Sequence, residues 1–201
     1  MEHNGELTKQ EKARLSDYLS LMPLLSSKTK VLDLGSGKGY VSKYIRNHYN
    51  CEVWCIDIKR PECSTWIDEF KKYGINFIYC DIAKSKALPF PANYFDLVLF
   101  LEVLEHLITS HPPWQLFREI NRVLKKGGYL ILSTPNIAEL IKRIRLLFGK
   151  HPVPRLKNES EFYVGHYREY TLKELLYILD ETGFKVEKVR MRVIFTQVKR
   201  C

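Results

Sequence analysis

The stretch Val31-Leu-Asp-Leu-Gly-Ser-Gly-Lys-Gly-Tyr40 constrains this chain more than any other. An apolar run ends in an acid, Asp33, and then in glycines at 35, 37 and 39. The pattern predicts a buried strand turning sharply into a helix. Glycines at such a turn let the backbone pass close to a ligand, because no Cβ intervenes. The helix that follows offers unpaired N–H groups and the positive end of its dipole. The spacing is G-x-G-x-G, whereas dinucleotide-binding turns read G-x-G-x-x-G, with the third glycine packing helix on strand. An acid at the strand end disfavours pyrophosphate and suits a cationic ligand group. A phosphate-binding loop would need Gly at 32 and Ser or Thr at 39, where this chain has Leu32 and Gly39. Taken alone, the turn is also compatible with a structural corner that holds no ligand.

Neighbouring runs end the same way. Val53-Trp-Cys-Ile56 leads into Asp57, and Ile75-Asn-Phe-Ile-Tyr-Cys80 leads into Asp81. Tyr94-Phe-Asp-Leu-Val-Leu-Phe100 reads as a strand buried on both faces and leads into Leu101-Glu102. Asp57 follows Gly35 by about 20 residues, the distance at which an acid reaches ribose hydroxyls. A carboxylate can accept from both hydroxyls at once. Asp81 could accept from an adenine amino group while Ile82 covers the ring face. Ligands of open parallel sheets bind outside the carboxyl ends of the strands, where these side chains converge.

The ordered set Leu32-Asp-Leu-Gly-Ser-Gly-Lys-Gly39, Ile56-Asp57, Cys80-Asp-Ile82, Phe95-Asp-Leu-Val-Leu99 and Leu124-Lys-Lys-Gly-Gly-Tyr-Leu-Ile-Leu-Ser-Thr-Pro-Asn136 resembles the class I S-adenosylmethionine-dependent methyltransferases. The resemblance implies an α/β, Rossmann-like, doubly wound fold with helices on both faces of a mostly parallel sheet of seven strands, or six. It implies S-adenosyl-L-methionine over the glycine turn. The implied cofactor residues are Asp33, Gly35, Ser36, Gly37, Gly39, Asp57, Ile58, Asp81, Ile82, Leu101 and Glu102.

The length of 201 residues fits one domain. It is read as a single methyltransferase domain over 1–201, with an N-terminal helical segment at 1–27 and a helical insertion at 137–165. The longest apolar stretches are strand length, short of the ~20 residues of a spanning helix. Met1-Glu-His-Asn-Gly-Glu6 lacks the basic start and apolar centre of a signal peptide. The cysteines at 51, 55, 63, 80 and 201 show no C-x-x-C, so neither a disulfide framework nor a zinc site is expected and a reducing cytoplasm is.

Thr8-Lys-Gln-Glu11 is a capping box opening a helix with Leu15, Tyr18, Leu19 and Met22 on one face, ended by Pro23. In the family such a helix often closes over the cofactor; simple packing is the alternative. A helix is expected from Ser64 to Tyr73, stopped by Gly74. Pro112-Pro113 open another, carrying Leu116, Ile120 and Val123 inward. Gly127-Gly128 are expected to turn into a strand over 129–133. Phe184 to Val189 reads as a sixth strand. Val193 to Val198 then either returns as a seventh or leaves an open edge, which would favour a homodimer.

Ile137 to Phe148 reads as an amphipathic helix carrying Lys142, Arg143 and Arg145, ended by Gly149, with Pro152 and Pro154 as a rigid exit. It lies where an acceptor must approach. Three uses compete: contact with an anionic membrane over 137–157, a lid on an anionic substrate, or an apolar side docked on the core. The formal charge of +9 leans toward an anionic partner, although charge also serves solubility.

Glu102, Glu105 and His106 share a face if a helix starts there, and His166 can fold back to join them. His106 and His166, with Glu105, are the candidate acid–base residues. All four could ligate a divalent metal: two carboxylates suit Mg²⁺ or Mn²⁺, two imidazoles Mn²⁺, Fe²⁺ or Zn²⁺. Glu-x-x-Glu-His with a later His is similar to two methyltransferase groups that use a divalent metal, ubiquinone-biosynthesis O-methyltransferases and small-RNA 2′-O-methyltransferases. Val-Leu-Glu-His also occurs in relatives with no established metal. The leading expectation is O-methylation of a small-molecule or lipid-precursor acceptor. The alternatives are a metal-assisted RNA 2′-O-methyltransferase and a non-catalytic cofactor-binding subunit. No aromatic-basic interleaving of the kind that stacks single strands supports RNA.

Overall fold

The computed structural model describes residues 7–59, 63–107, 113–152, 166–190 and 194–201. Seven strands form one sheet: β1 (Lys30–Leu34), β2 (Glu52–Asp57), β3 (Asn76–Tyr79), β4 (Phe95–Leu101), β5 (Leu124–Thr134), β6 (Phe184–Arg190) and β7 (Ile194–Arg200), in the order β3-β2-β1-β4-β5-β7-β6. The first five pair in parallel; β7 runs antiparallel between β5 and β6. The strand order reverses between β1 and β4, the switch point at which doubly wound sheets open a crevice for ligands.

Alternation along the inner strands decides the layers, because successive side chains point to opposite faces. Leu32, Leu34, Val98, Phe100, Leu130 and Leu132 pack in one core with Leu116, Phe117, Ile120 and Val123 of α4 (Pro113–Val123) and Leu175, Ile178 and Leu179 of α6 (Leu172–Glu181). Val31, Val53, Cys55, Leu97, Leu99 and Ile131 pack in the other with α1 (Lys9–Leu21), α2 (Tyr40–Tyr49) and Phe70 of α3 (Cys63–Lys72). Strands covered on both faces read as nearly unbroken apolar runs, which is why Asp96 is the one polar residue of β4.

The Thr8 capping box forms as expected: Thr8 Oγ1 accepts from the Glu11 N–H, and the Glu11 carboxylate accepts from the Thr8 N–H. Leu15, Tyr18 and Leu21 are the buried face of α1, with Leu19 and Met22 half-buried at its margin. Met22 is extended, as a residue preceding proline must be. Two expectations about the sheet change. The β5 strand does not begin after the glycines but at Leu124; Phe95 pairs with Leu124 and Leu97 with Tyr129, so residues 125–128 bulge out with Gly127 at φ 75°. The seventh strand is present and sits inside the sheet, so the open edge that would have favoured a homodimer does not arise there.

α5 (Leu140–Leu147) supplies the insertion helix, shorter than expected because Asn136 bridges to Tyr170 and its Oδ1 accepts from the Ala138 N–H before the helix starts. Gly149 ends it at φ 66°. None of its residues is buried. The rest of the insertion, 153–165, lies outside the described residues, as do residues 1–6, Pro112 and Val193. Among the described residues no helix is long and apolar enough to cross a membrane.

Candidate active site

The carboxyl ends of β1, β2, β3 and β4 meet around the glycine turn. All three glycines of the turn have positive φ, yet they do different things. A Cβ on Gly35 would lie 2.5 Å from Val103 Cγ2, and one on Gly39 would lie 2.2 Å from Phe70 Cε1. Those two glycines admit neighbouring side chains. A Cβ on Gly37 would meet nothing within 4 Å. Gly37 alone faces open space, so it is the position past which a ligand can run.

The acids also divide. Asp33 is buried beneath the turn and accepts from Ser42 Oγ at 2.7 Å. Burial pushes its carboxyl up to about 7, the Ser42 bond opposes that and the charge of Asp57 adds to it. Asp57 is buried too; its two oxygens accept from the N–H groups of Gly37 at 2.7 Å and Ile58 at 2.8 Å. It therefore clamps the glycine turn to the end of β2. Asp81 is the accessible one, paired with Lys84 at 3.2 Å and accepting from the Ala83 N–H. The Cys80 N–H donates to the Asp57 carbonyl, which sets Asp81 beside Asp57; Ile82 is buried next to it.

Beyond Leu101, the chain takes a turn no sequence pattern announces. Glu102 has φ 55°, a left-handed backbone at a non-glycine residue, and its N–H is held by Ser133. Strained positions of this sort concentrate at functional sites. Glu102 Oε2 lies 3.5 Å from Arg14 of α1. Glu102 Oε1 is buried with no hydrogen-bond partner among the described residues. Ser36 Oγ is likewise buried without a hydrogen bond of normal geometry, although the Cys55 thiol lies beside it. Tyr18 roofs this region from α1: its hydroxyl pairs with Ser133 Oγ at 3.3 Å, and burial pushes its ionisation well above the usual phenol range.

The expected single face of Glu102, Glu105 and His106 does not form. A 3₁₀ turn over Leu104–His106 replaces the helix, and the left-handed Glu102 precedes it. Glu102 turns to α1, and Glu105 turns to β5, where Oε2 accepts from Thr134 Oγ1 at 3.0 Å. Glu105, His106 and His166 do converge, with one ligand atom from each lying within 4.8 Å of the others. Glu102 is not in that group. Three of the four expected metal ligands therefore come together; Glu102 is the correction. Glu105 is almost fully buried, which pushes its carboxyl up to about 8, helped by the charges of Glu102 and Glu169 and opposed by its hydrogen bonds. His106 Nε2 lies 3.9 Å from Glu105 Oε1, and the His106 and His166 rings meet edge to face at 4.9 Å.

The His166 loop docks by backbone: the Tyr167 N–H donates to the Glu105 carbonyl at 2.8 Å. His166 Nδ1 pairs with Glu169 Oε1 at 2.8 Å, and Lys142 of α5 pairs with the other oxygen of the same carboxylate, which is almost fully buried. Sequence reasoning did not find Glu169, and it gave no hydrogen-bonding role to Thr134, Ser133 or the Tyr18 hydroxyl. Glu169 follows His166 by three positions, but in a loop that spacing carries no helical meaning.

A crevice at the switch point, a glycine turn open on one side and acids at successive strand ends define a Rossmann-like nucleoside-binding fold. The family model described as "Methyltransferase domain" matches residues 32–132, half of the chain. An uncharacterized protein of Methanocaldococcus jannaschii is 31% identical over 173 residues, covering 86% of this chain and 72% of that protein. A glycine/sarcosine/dimethylglycine N-methyltransferase of Actinopolyspora halophila is 27% identical over 123 residues, 61% of this chain but 21% of that enzyme. The crystal structure of an S-adenosylmethionine-dependent methyltransferase from Mesorhizobium loti shares the fold, with a TM-score of 0.69 at 18% identity, covering 92% of this chain and 96% of that one. The chain belongs to the class I S-adenosylmethionine-dependent methyltransferase family. It spans between 21% and 56% of the length of the first curated relatives it matches.

Proposed function

We propose that the chain binds S-adenosyl-L-methionine at the glycine turn and methylates an oxygen of a small-molecule or lipid-precursor acceptor. The buried Oε1 of Glu102, without a hydrogen-bond partner among the described residues, carries the proposal. A buried carboxylate oxygen is costly to leave unpaired, and the cofactor's cationic amino group would supply the missing donor. Asp57, which also holds the turn through the Gly37 N–H, would accept from the ribose hydroxyls and Asp81 from the adenine amino group, and Gly37 leaves room for the ligand to pass the turn. Leu101 and Ile82 would line the apolar parts. When bound, the cofactor supplies an already activated methyl group, so positioning is most of what the protein must provide.

The residues beyond the cofactor serve the acceptor. Glu169 holds His166 by Nδ1, which leaves Nε2 as the basic nitrogen of a ring that meets His106 edge to face. His166 would take the acceptor's proton, and the Glu169 carboxylate would stabilise the imidazolium that forms. His106 would share that mouth as an orienting partner. Relatives methylate both nitrogen and oxygen, as the names of an N-methyltransferase and of a 27-O-demethylrifamycin SV methyltransferase say, so the base carries the preference for oxygen.

A second reading uses the same residues as a metal centre. One carboxylate and two imidazoles suit Mn²⁺, Fe²⁺ or Zn²⁺, and a carboxylate behind a ligating imidazole, as Glu169 is behind His166, is the usual support. A metal-assisted RNA 2′-O-methyltransferase would share this arrangement. Chelation separates the two readings: activity that survives it assigns proton transfer to His166, and activity restored by a divalent ion assigns a metal.

Calorimetry with S-adenosylhomocysteine, with NAD as the control, tests the cofactor assignment. Binding of the first, none of the second, and at least tenfold weaker binding by Asp57→Ala are expected, roughly the loss of one charged hydrogen-bond acceptor. No affinity for S-adenosylhomocysteine would overturn the proposal.

A further inference from the structure

Helix α5 is built inside out. Lys142 reaches inward to the buried Glu169 carboxylate, which ties the helix to the His166 loop. At about 3.6 residues per turn, Leu140, Ile141, Ile144, Leu147 and Phe148 then form one stripe on the side away from Lys142. These five side chains are between 45% and 81% exposed. A helix of a water-facing surface normally shows the reverse arrangement, apolar inward and charged outward. Contiguous apolar surface of this kind marks an interaction site.

The rim says what covers it. Arg143 flanks the stripe on one side and Arg145 on the other, and Lys150 follows at the helix end. The single acid of the helix region, Glu139, is at its start, and the Glu169 carboxylate is already taken by Lys142 and His166. A second copy of the chain would bring the same arginines against these and repel. An apolar stripe bordered by arginines matches a lipid surface whose headgroups are anionic: the stripe enters the acyl boundary and the guanidinium groups meet the phosphates.

We propose that α5 docks this protein on anionic lipid membranes. Docking does not depend on the transfer chemistry; Lys142 and Glu169 join the docked helix to the His166 loop on its protein-facing side.

Co-sedimentation with vesicles of phosphatidylglycerol and phosphatidylcholine in equal parts, against phosphatidylcholine alone, is the test. The intact protein is expected to sediment with the anionic vesicles and not with the neutral ones. Leu147→Glu/Phe148→Glu and, separately, Arg143→Glu/Lys150→Glu are each expected to weaken that binding by roughly tenfold or more, from lost apolar insertion or reversed charge. All four positions are exposed, and an unchanged thermal unfolding midpoint confirms that the variants fold. Failure of the intact protein to bind anionic vesicles overturns the proposal. So does equal binding by the Leu147→Glu/Phe148→Glu variant, and so does a dimer in sedimentation velocity that this variant abolishes, which would assign the stripe to a second copy.

Discussion

The three glycines of the turn are distinguishable by what a methyl group would strike. Gly35→Ala and Gly39→Ala drive a Cβ into Val103 and into the fully buried Phe70, at positions of positive φ. Each is expected to lower stability by roughly 2–5 kcal/mol, left-handed strain and overpacking together. Gly37→Ala meets open space and is expected to lose roughly 1–2 kcal/mol from strain alone. It should nonetheless weaken S-adenosylhomocysteine binding, because its Cβ enters the ligand's path. Thermal unfolding and calorimetry on the three variants check the division. Asp33 supplies a second test at this scale. Its carboxyl lies at about 7 in the folded chain, against an ordinary value of 3.8 when unfolded. Between those values the folded state holds the extra proton, so stability falls as pH rises from about 4 to about 7. The loss is on the order of a few kcal/mol, and Asp33→Asn is expected to flatten the slope in that window. Unfolding midpoints in denaturant across the range measure it.

Among the elements, α6 depends most visibly on its cap. Thr171 Oγ1 accepts from the Glu174 N–H, and the Glu174 carboxylate accepts from the Thr171 N–H and pairs with Arg168. The cap also fixes the exit of the loop that bears His166 and Glu169. Thr171→Ala is expected to cost about 1 kcal/mol of stability by denaturant unfolding. It should also raise hydrogen exchange at the Tyr167 N–H, which the loop presents to the Glu105 carbonyl. Loss of stability without faster exchange would show that the loop is held by Glu105 and Lys142 instead of by the helix start. Helix α1 acts differently: Tyr18 and Arg14 reach Ser133 and Glu102, so this element covers the strand ends as well as packing on the sheet.

For the molecule as a whole, the position of β7 matters most. It is bonded to β5 on one side and β6 on the other, with Thr196 and Val198 fully buried. Removing residues 194–201 takes out an interior strand, not an edge. The truncated chain is expected to lose the cooperative unfolding transition followed by circular dichroism, since both neighbours would be left with unpaired backbone groups. A truncated chain that still unfolds cooperatively would show that β1 to β5 with their helices form a stable unit without the antiparallel hairpin.

The strands, the glycine turn and the acids at 33, 57 and 81 were legible in the chain because they are local: two-residue alternation, positive φ and strand-end position are written within a few consecutive residues. The capping box of α1 belongs to the same class. The rest depends on residues far apart in the chain. Glu102 and Glu105 part company because Ser133 and Thr134 of β5 hold them, and no spacing within Leu101 to His106 encodes β5. The link from His166 through Glu169 to Lys142 joins a loop to a helix, and the outward apolar stripe of α5 follows from which side that lysine anchors. Periodicity tells which residues share a face of a helix; which way that face points is settled by packing against the remainder of the fold.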